Sequence, residues 1–208
     1  MVQGIADSEL PNPPDLARVL RAGARNQESL KVTAPVRKAV ANRLNSLSGG
    51  TVVPARTDVP SKEGTHVQFL DSLDVTTKRL FPILRFNPSV VWWGIYFWGK
   101  QEEAEQVFNA VQSLGLSNTG WRLERATGVP EMPPSVSLRG TYVRAFSDVT
   151  ADQVEELPTL EGLVSQIAAD LWWWYQRLDQ VMVLAKWIGA NRGRRRLTDQ
   201  VERRRSQC

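Results

Sequence analysis

The chain predicts an α+β fold: a mixed or antiparallel sheet of three to four strands packed by helices, with an N-terminal helical segment and a long C-terminal helix. Three observations carry this expectation. Val90–Trp98 is an unbroken run of β-branched, aromatic and glycine residues between Pro88 and Gly99, the pattern of a central strand covered on both faces. Thr159–Ile188 places Leu160, Leu163, Val164, Ile167, Leu171, Trp174, Tyr175, Leu178, Met182 and Leu184 at helical spacing. Trp121–Arg125 and Ser137–Phe146 alternate apolar with charged or small residues, as strands with one wet face do, and they pair as an antiparallel hairpin across the proline-rich Val129–Pro134.

The remaining elements follow in chain order. After the turn Asn12-Pro13-Pro14, Asp15 is placed as the N-cap of a short helix carrying Leu16, Val19 and Leu20. Pro35 fits the first turn of a second helix with Val36, Val40, Leu44 and Leu47 on its buried stripe, ending at Gly49-Gly50. Residues 51–64, with Pro54, Pro60 and Gly64, read as a linker. His66–Leu70 reads as a strand, and Asp74–Phe81 as a helix that stops before Pro82. Glu102, Glu103 and Glu105 suit the first turn of a helix whose stripe is Ala104, Val107, Phe108, Val111 and Leu114, with Gly115 ending it. Asp148–Glu156 suits a short helical turn. The expected organisation is an N-terminal helical segment (1–50), a linker (51–64), an α+β main domain (65–190) and a basic tail (191–208).

At 208 residues the chain is long enough for a substantial core, and 42% hydrophobic with 23% charged residues is an ordinary globular balance. The single cysteine, Cys208, makes no internal disulfide and supplies no thiolate cluster. No signal-peptide pattern opens the chain and no apolar run reaches membrane-spanning length, so the expectation is a cytoplasmic protein without a membrane partner.

Catalytic and cofactor patterns are sparse, so no catalytic, cofactor or metal residue is assigned and a non-enzymatic protein is expected. His66 is the only histidine, and no Gly-x-Ser-x-Gly turn presents a serine to it; a strand-edge role outweighs a triad. Neither a Gly-x-Gly-x-x-Gly nor a phosphate-loop pattern occurs, and Gly49-Gly50 follows a helix rather than a strand. Carboxylates Asp71, Asp74 and Glu124 are the nearest approach to a magnesium-dependent nuclease set, without the Asp…Glu-x-Lys spacing such a site uses.

Two features carry the functional expectation. Lys186–Cys208 holds eight basic residues against Asp199 and Glu202, so that end carries +6 and the rest of the chain is net −2, together the net +4. Within it Arg192, Arg194, Arg195, Arg196, Arg203, Arg204 and Arg205 suit phosphate, because each guanidinium donates two parallel hydrogen bonds. RNA or DNA bound by its backbone is the partner this predicts, in a packaging or nucleoprotein role. The second feature is Trp172-Trp173-Trp174, which spans about 200° of a helix, so at least one ring must face solvent or another surface. Trp172 and Trp173 are the candidate contacts for a protein partner or a homo-oligomer. A diverged carboxylate nuclease is the third reading.

The order of elements from Val90 to Met182, namely the strand ending Ile95-Tyr96-Phe97, the Glu102–Leu114 helix, the Trp121-Arg122-Leu123-Glu124 strand, a further strand, the acidic turn and the aromatic helix, resembles a small domain of unknown function found in bacterial restriction-nuclease-associated proteins. The resemblance implies the same α+β order and transfers no functional residues.

Overall fold

The computed structural model describes residues 10–23, 27–50, 52–61, 64–71, 80–115, 121–127 and 141–185. Helix α1 spans Pro13–Arg21. Its cap position is Asn12, with Pro13 opening the helix where the missing N–H costs no intrahelical bond. Asp15 therefore sits in the first turn rather than at the cap, 3.7 Å from Arg18. Helix α2 spans Gln27–Leu47, so Pro35 lies inside it and not in its first turn. A proline there removes one backbone bond, and burial holds the helix on either side of it: Thr33, Val36, Val40 and Leu44 are all buried. Leu47, expected on the same stripe, is 44% exposed. Gly49 and Gly50 take positive φ, and Gly50 N–H closes the helix onto the Asn45 carbonyl at 2.8 Å.

Residues read as a linker are instead strand β1, Val52–Ser61, paired antiparallel with β2, Gly64–Asp71. β1 is an edge strand whose register shifts between Pro54 and Arg56 and again between Arg56 and Val59. Edges and irregularities are where a sheet tolerates proline, which is why a loop-like composition ends up in a ladder. The helix expected over 74–81 falls outside the described residues up to 79; Leu80 and Phe81 begin strand β3, Leu80–Asn87, which runs through Pro82. Pro82 lies one residue beyond the last position of β3 paired with β2, so its missing N–H costs no bond to that neighbour.

The central strand is β4, Val90–Gly99, bonded to β3 on one side and to β6 on the other. Helix α3, Gln101–Gln112, follows at once; the Glu103 carboxylate accepts from the Lys100 backbone N–H at 3.0 Å, and Ala104, Val107, Ala110 and Val111 are buried. The hairpin pairing expected downstream is present between β5, Arg122–Thr127, and β6, Thr141–Thr150. A capping box between Thr150 and Gln153 starts the five-residue α4, Ala151–Glu155, and α5 runs from Glu161 to Leu184.

The chain is thus α+β with an antiparallel sheet packed by helices, in the order β1-β2-β3-β4-β6-β5. Among the described residues the sheet has six strands, because β1 and β3 add to the four expected. On its helix-covered side Leu84, Phe86, Val91 and Trp93 join α1, α2 and α5 in one cluster, and Leu80, Ile95, Phe97, Val143 and Ala145 join α3 and the second half of α5 in another. The N-terminal helices therefore share the core of the sheet. Phe81, Ile83, Trp92 and Phe146, at alternate strand positions, gather on the opposite side. Among the described residues no helix is long and apolar enough to cross a membrane.

Candidate functional site

Among the described residues, two groups of side chains each gather several aromatic rings around arginine. The first lies along α5. Trp174 is fully buried, while Trp172 and Trp173 are half-buried, so the three rings split as the helical period requires. Trp172 stacks on Tyr175, its ring centroid 5.4 Å away at 12°. Trp173 stacks on Trp121 at 6.4 Å and meets Trp174 edge-on at 4.9 Å. Over the Trp173 ring, 3.8 Å from its centroid, lies the Arg177 guanidinium, which also donates to the Trp173 carbonyl at 3.1 Å. Both candidate tryptophans are thus held in place by neighbours while keeping part of their surface open. Further along the helix Val183 and Leu184 are 62% and 45% exposed.

The second group occupies the sheet side away from the helices. β6 was expected to have one wet face; instead Val143 and Ala145 pack toward the helices while Tyr142 and Phe146 are buried on the other side. Arg144, between them, lies 4.3 Å from the Phe146 centroid and 5.3 Å from that of Trp92. Arg122 reaches over Phe146 at 4.6 Å and is ion-paired with Asp148; Arg85 lies 5.9 Å from the Trp92 centroid. Trp92 meets Phe146 edge-on at 5.9 Å, and Tyr142 stacks on Tyr96 at 6.1 Å. Glu124 completes the group, accepting from the Tyr142 hydroxyl and from Arg144 Nε, each at 2.7 Å.

That arrangement sets the charge states. Burial pushes the Glu124 carboxyl toward its neutral form, but hydrogen bonds from Tyr142 and Arg144 outweigh it and hold the group below the usual carboxylate range. Burial, reinforced by the bond to Glu124, pushes the Tyr142 hydroxyl well above an ordinary phenol. Glu124 is therefore an ionised acceptor engaged by two donors.

The other residues singled out in the sequence are dispersed. His66 pairs in register with Val59 and Arg85, and Asp71 ends β2 opposite Val52. Asp74 and the arginines from Arg192 to Arg205 lie outside the described residues. Among the described residues no three His, Cys, Asp or Glu side chains gather as a metal-binding cluster. The arginine–aromatic face is not evident from the sequence alone, although its signal is present as Phe81/Ile83/Arg85, Trp92/Gly94/Tyr96 and Tyr142/Arg144/Phe146 at a spacing of two. No family model and no curated protein matches the chain.

Proposed function

We propose that the protein associates with nucleic acid without transforming it, gripping the phosphate backbone through Arg192, Arg194, Arg195, Arg196, Arg203, Arg204 and Arg205. The observation that carries this reading is charge segregation: Lys186–Cys208 carries a net charge of +6 while the rest of the chain is net negative. Helix α5 ends at Leu184, two residues before that segment in the sequence. Backbone contacts of this kind release counterions, so affinity falls steeply with salt and carries little sequence preference.

Fluorescence anisotropy with labelled single- and double-stranded RNA and DNA, on the full chain and on a chain ending at Ala190, tests it. If six or more phosphates are neutralised, affinity drops by about 10³-fold or more between 50 and 200 mM salt and the shortened chain loses binding. Absence of binding at 50 mM salt, or equal binding by the shortened chain, overturns it.

A second reading is favoured by the exposed end of α5, where Val183 and Leu184 continue the helical rows of Trp172 and Trp173. In it α5 docks on a protein partner or a second copy. Light scattering on Trp172→Ala and Val183→Glu decides: a shift from oligomer to monomer supports it, and a monomeric wild type removes self-assembly.

A further inference from the structure

Arginines that hold only phosphates grip single and double strands alike, so the part of the chain next to them decides between the two. Lys186–Cys208 follows α5 in the sequence, and the second half of that helix carries an outward strip on which Trp172, Trp173, Arg177, Val183 and Leu184 keep part of their surface open. From Trp172 to Leu184 the strip is about 18 Å long at 1.5 Å per residue. Arg177 and Asp179 are its only charged residues and balance each other, so what it adds to the basic segment is rings rather than charge.

Those rings are held in place by the fold. Trp172 lies 12° from parallel with Tyr175, and Trp173 lies 17° from parallel with Trp121, braced edge-on by the buried Trp174. The Arg177 guanidinium sits 3.8 Å from the Trp173 centroid with a donor on the Trp173 carbonyl, and no carboxylate pairs with it among the described residues. A planar guanidinium on a ring is itself a surface on which a base stacks. Groups fixed in this way lose little freedom on binding. In a duplex the flat faces of the bases are covered by neighbouring pairs, so only unpaired bases can use such a platform.

We propose that the partner is single-stranded nucleic acid, with its phosphates on the arginines beyond α5 and its bases stacked along α5 at Trp172 and at the Trp173–Arg177 pair. This rests on the first reading above, in which Arg192 to Arg205 grip phosphate. Charge complementarity commits the strip to this occupant: the segment carrying +6 begins two residues past Leu184. Arg192 is eight residues from Leu184, hence at most about 28 Å away, so one short strand can reach both.

Fluorescence anisotropy of the full chain with three labelled probes of one length tests this: a single strand, its duplex, and an abasic strand that keeps the phosphates and lacks the bases. The single strand is expected to bind about 10-fold more tightly than the abasic one, as stacking of one base supplies. Trp172→Ala should remove most of that advantage while leaving abasic and duplex binding as in the wild type, and Arg177→Ala should reduce it in the same way. Equal affinity for the single and abasic strands, an advantage that survives both substitutions, or a duplex weakened as much as the single strand overturns the stacking platform and leaves the grip on phosphate standing. Absence of binding by every probe at about 50 mM salt overturns both. If Trp172→Ala fails to fold, the abasic comparison on the unaltered chain decides alone.

Discussion

Gly94 shows how closely β4 and β6 approach. It takes a φ of +153°, and a Cβ added there would fall 2.0 Å from the Ala145 carbonyl oxygen, which is backbone and cannot swing aside. Gly94→Ala should therefore cost about 3 kcal/mol or more, at the upper end of overpacking, read as a lowered urea midpoint. Ser89 makes the milder case. It takes a φ of 64° in the β3–β4 turn, and its backbone bonds the Leu20 carbonyl and the Ala151 N–H, each at 2.9 Å, tying the turn to α1 and α4. Ser89→Val should cost about 1–2 kcal/mol, since a β-branched residue resists the left-handed region, while Ser89→Gly should be tolerated. Equal stability of the two variants would remove backbone strain as the explanation. Asp170 gives a pH signature. It accepts from Trp93 Nε1 at 2.8 Å, and burial raises its carboxyl above the ordinary aspartate value despite that bond. A folded-state value above the unfolded one means that this group's stabilisation is complete below the unfolded value and is lost as pH rises through the folded one. Asp170→Asn stays neutral and still accepts from Trp93, so its stability relative to wild type should rise from pH 3 to pH 7. A difference that is flat with pH, or of opposite slope, would sink that account.

At the scale of elements, α5 contributes to both core clusters on the helix-covered side of the sheet. Leu171 and Trp174 are fully buried against the sheet and its helices, whereas Trp172 and Trp173 are only half-buried. Trp174→Ala should cost about 3–5 kcal/mol and Leu171→Ala about 2–5, as large-to-small core changes do. Trp172→Ala should cost far less in thermal or denaturant unfolding, and a loss as large as that of Trp174→Ala would mean the ring belongs to the core. The periodicity of α5 is legible because a helix covered along a stripe keeps its apolar residues in register with 3.6. Helix α2 was less legible: Pro35 resembles a starting residue, and only burial of Val36, Val40 and Leu44 against other elements carries the helix through it. β1 was hidden for a related reason, since proline, a strand breaker by local rules, is tolerated at an irregular edge.

Across the whole molecule, α1 and α2 are packed with α5 and with Val91 and Trp93 of the central strand. Removing residues 1–50 should therefore abolish the cooperative thermal transition, seen by circular dichroism. A shortened chain that melts as sharply as the full one would instead make the N-terminal helices a separate unit. By itself the sequence determined the α+β class, the central strand, α3, α5, the β5–β6 pairing and the segregation of charge, because each is written in a local period, a composition run or a count. Only the tertiary structure decided that Tyr142, Arg144 and Phe146 meet Trp92, Arg122 and Arg85. A period of two says which residues share a side of a strand, but not which side the helices cover or which strands become neighbours. Those choices are made by long-range pairing, and they created the arginine–aromatic face from residues as far apart in the sequence as Phe81 and Phe146.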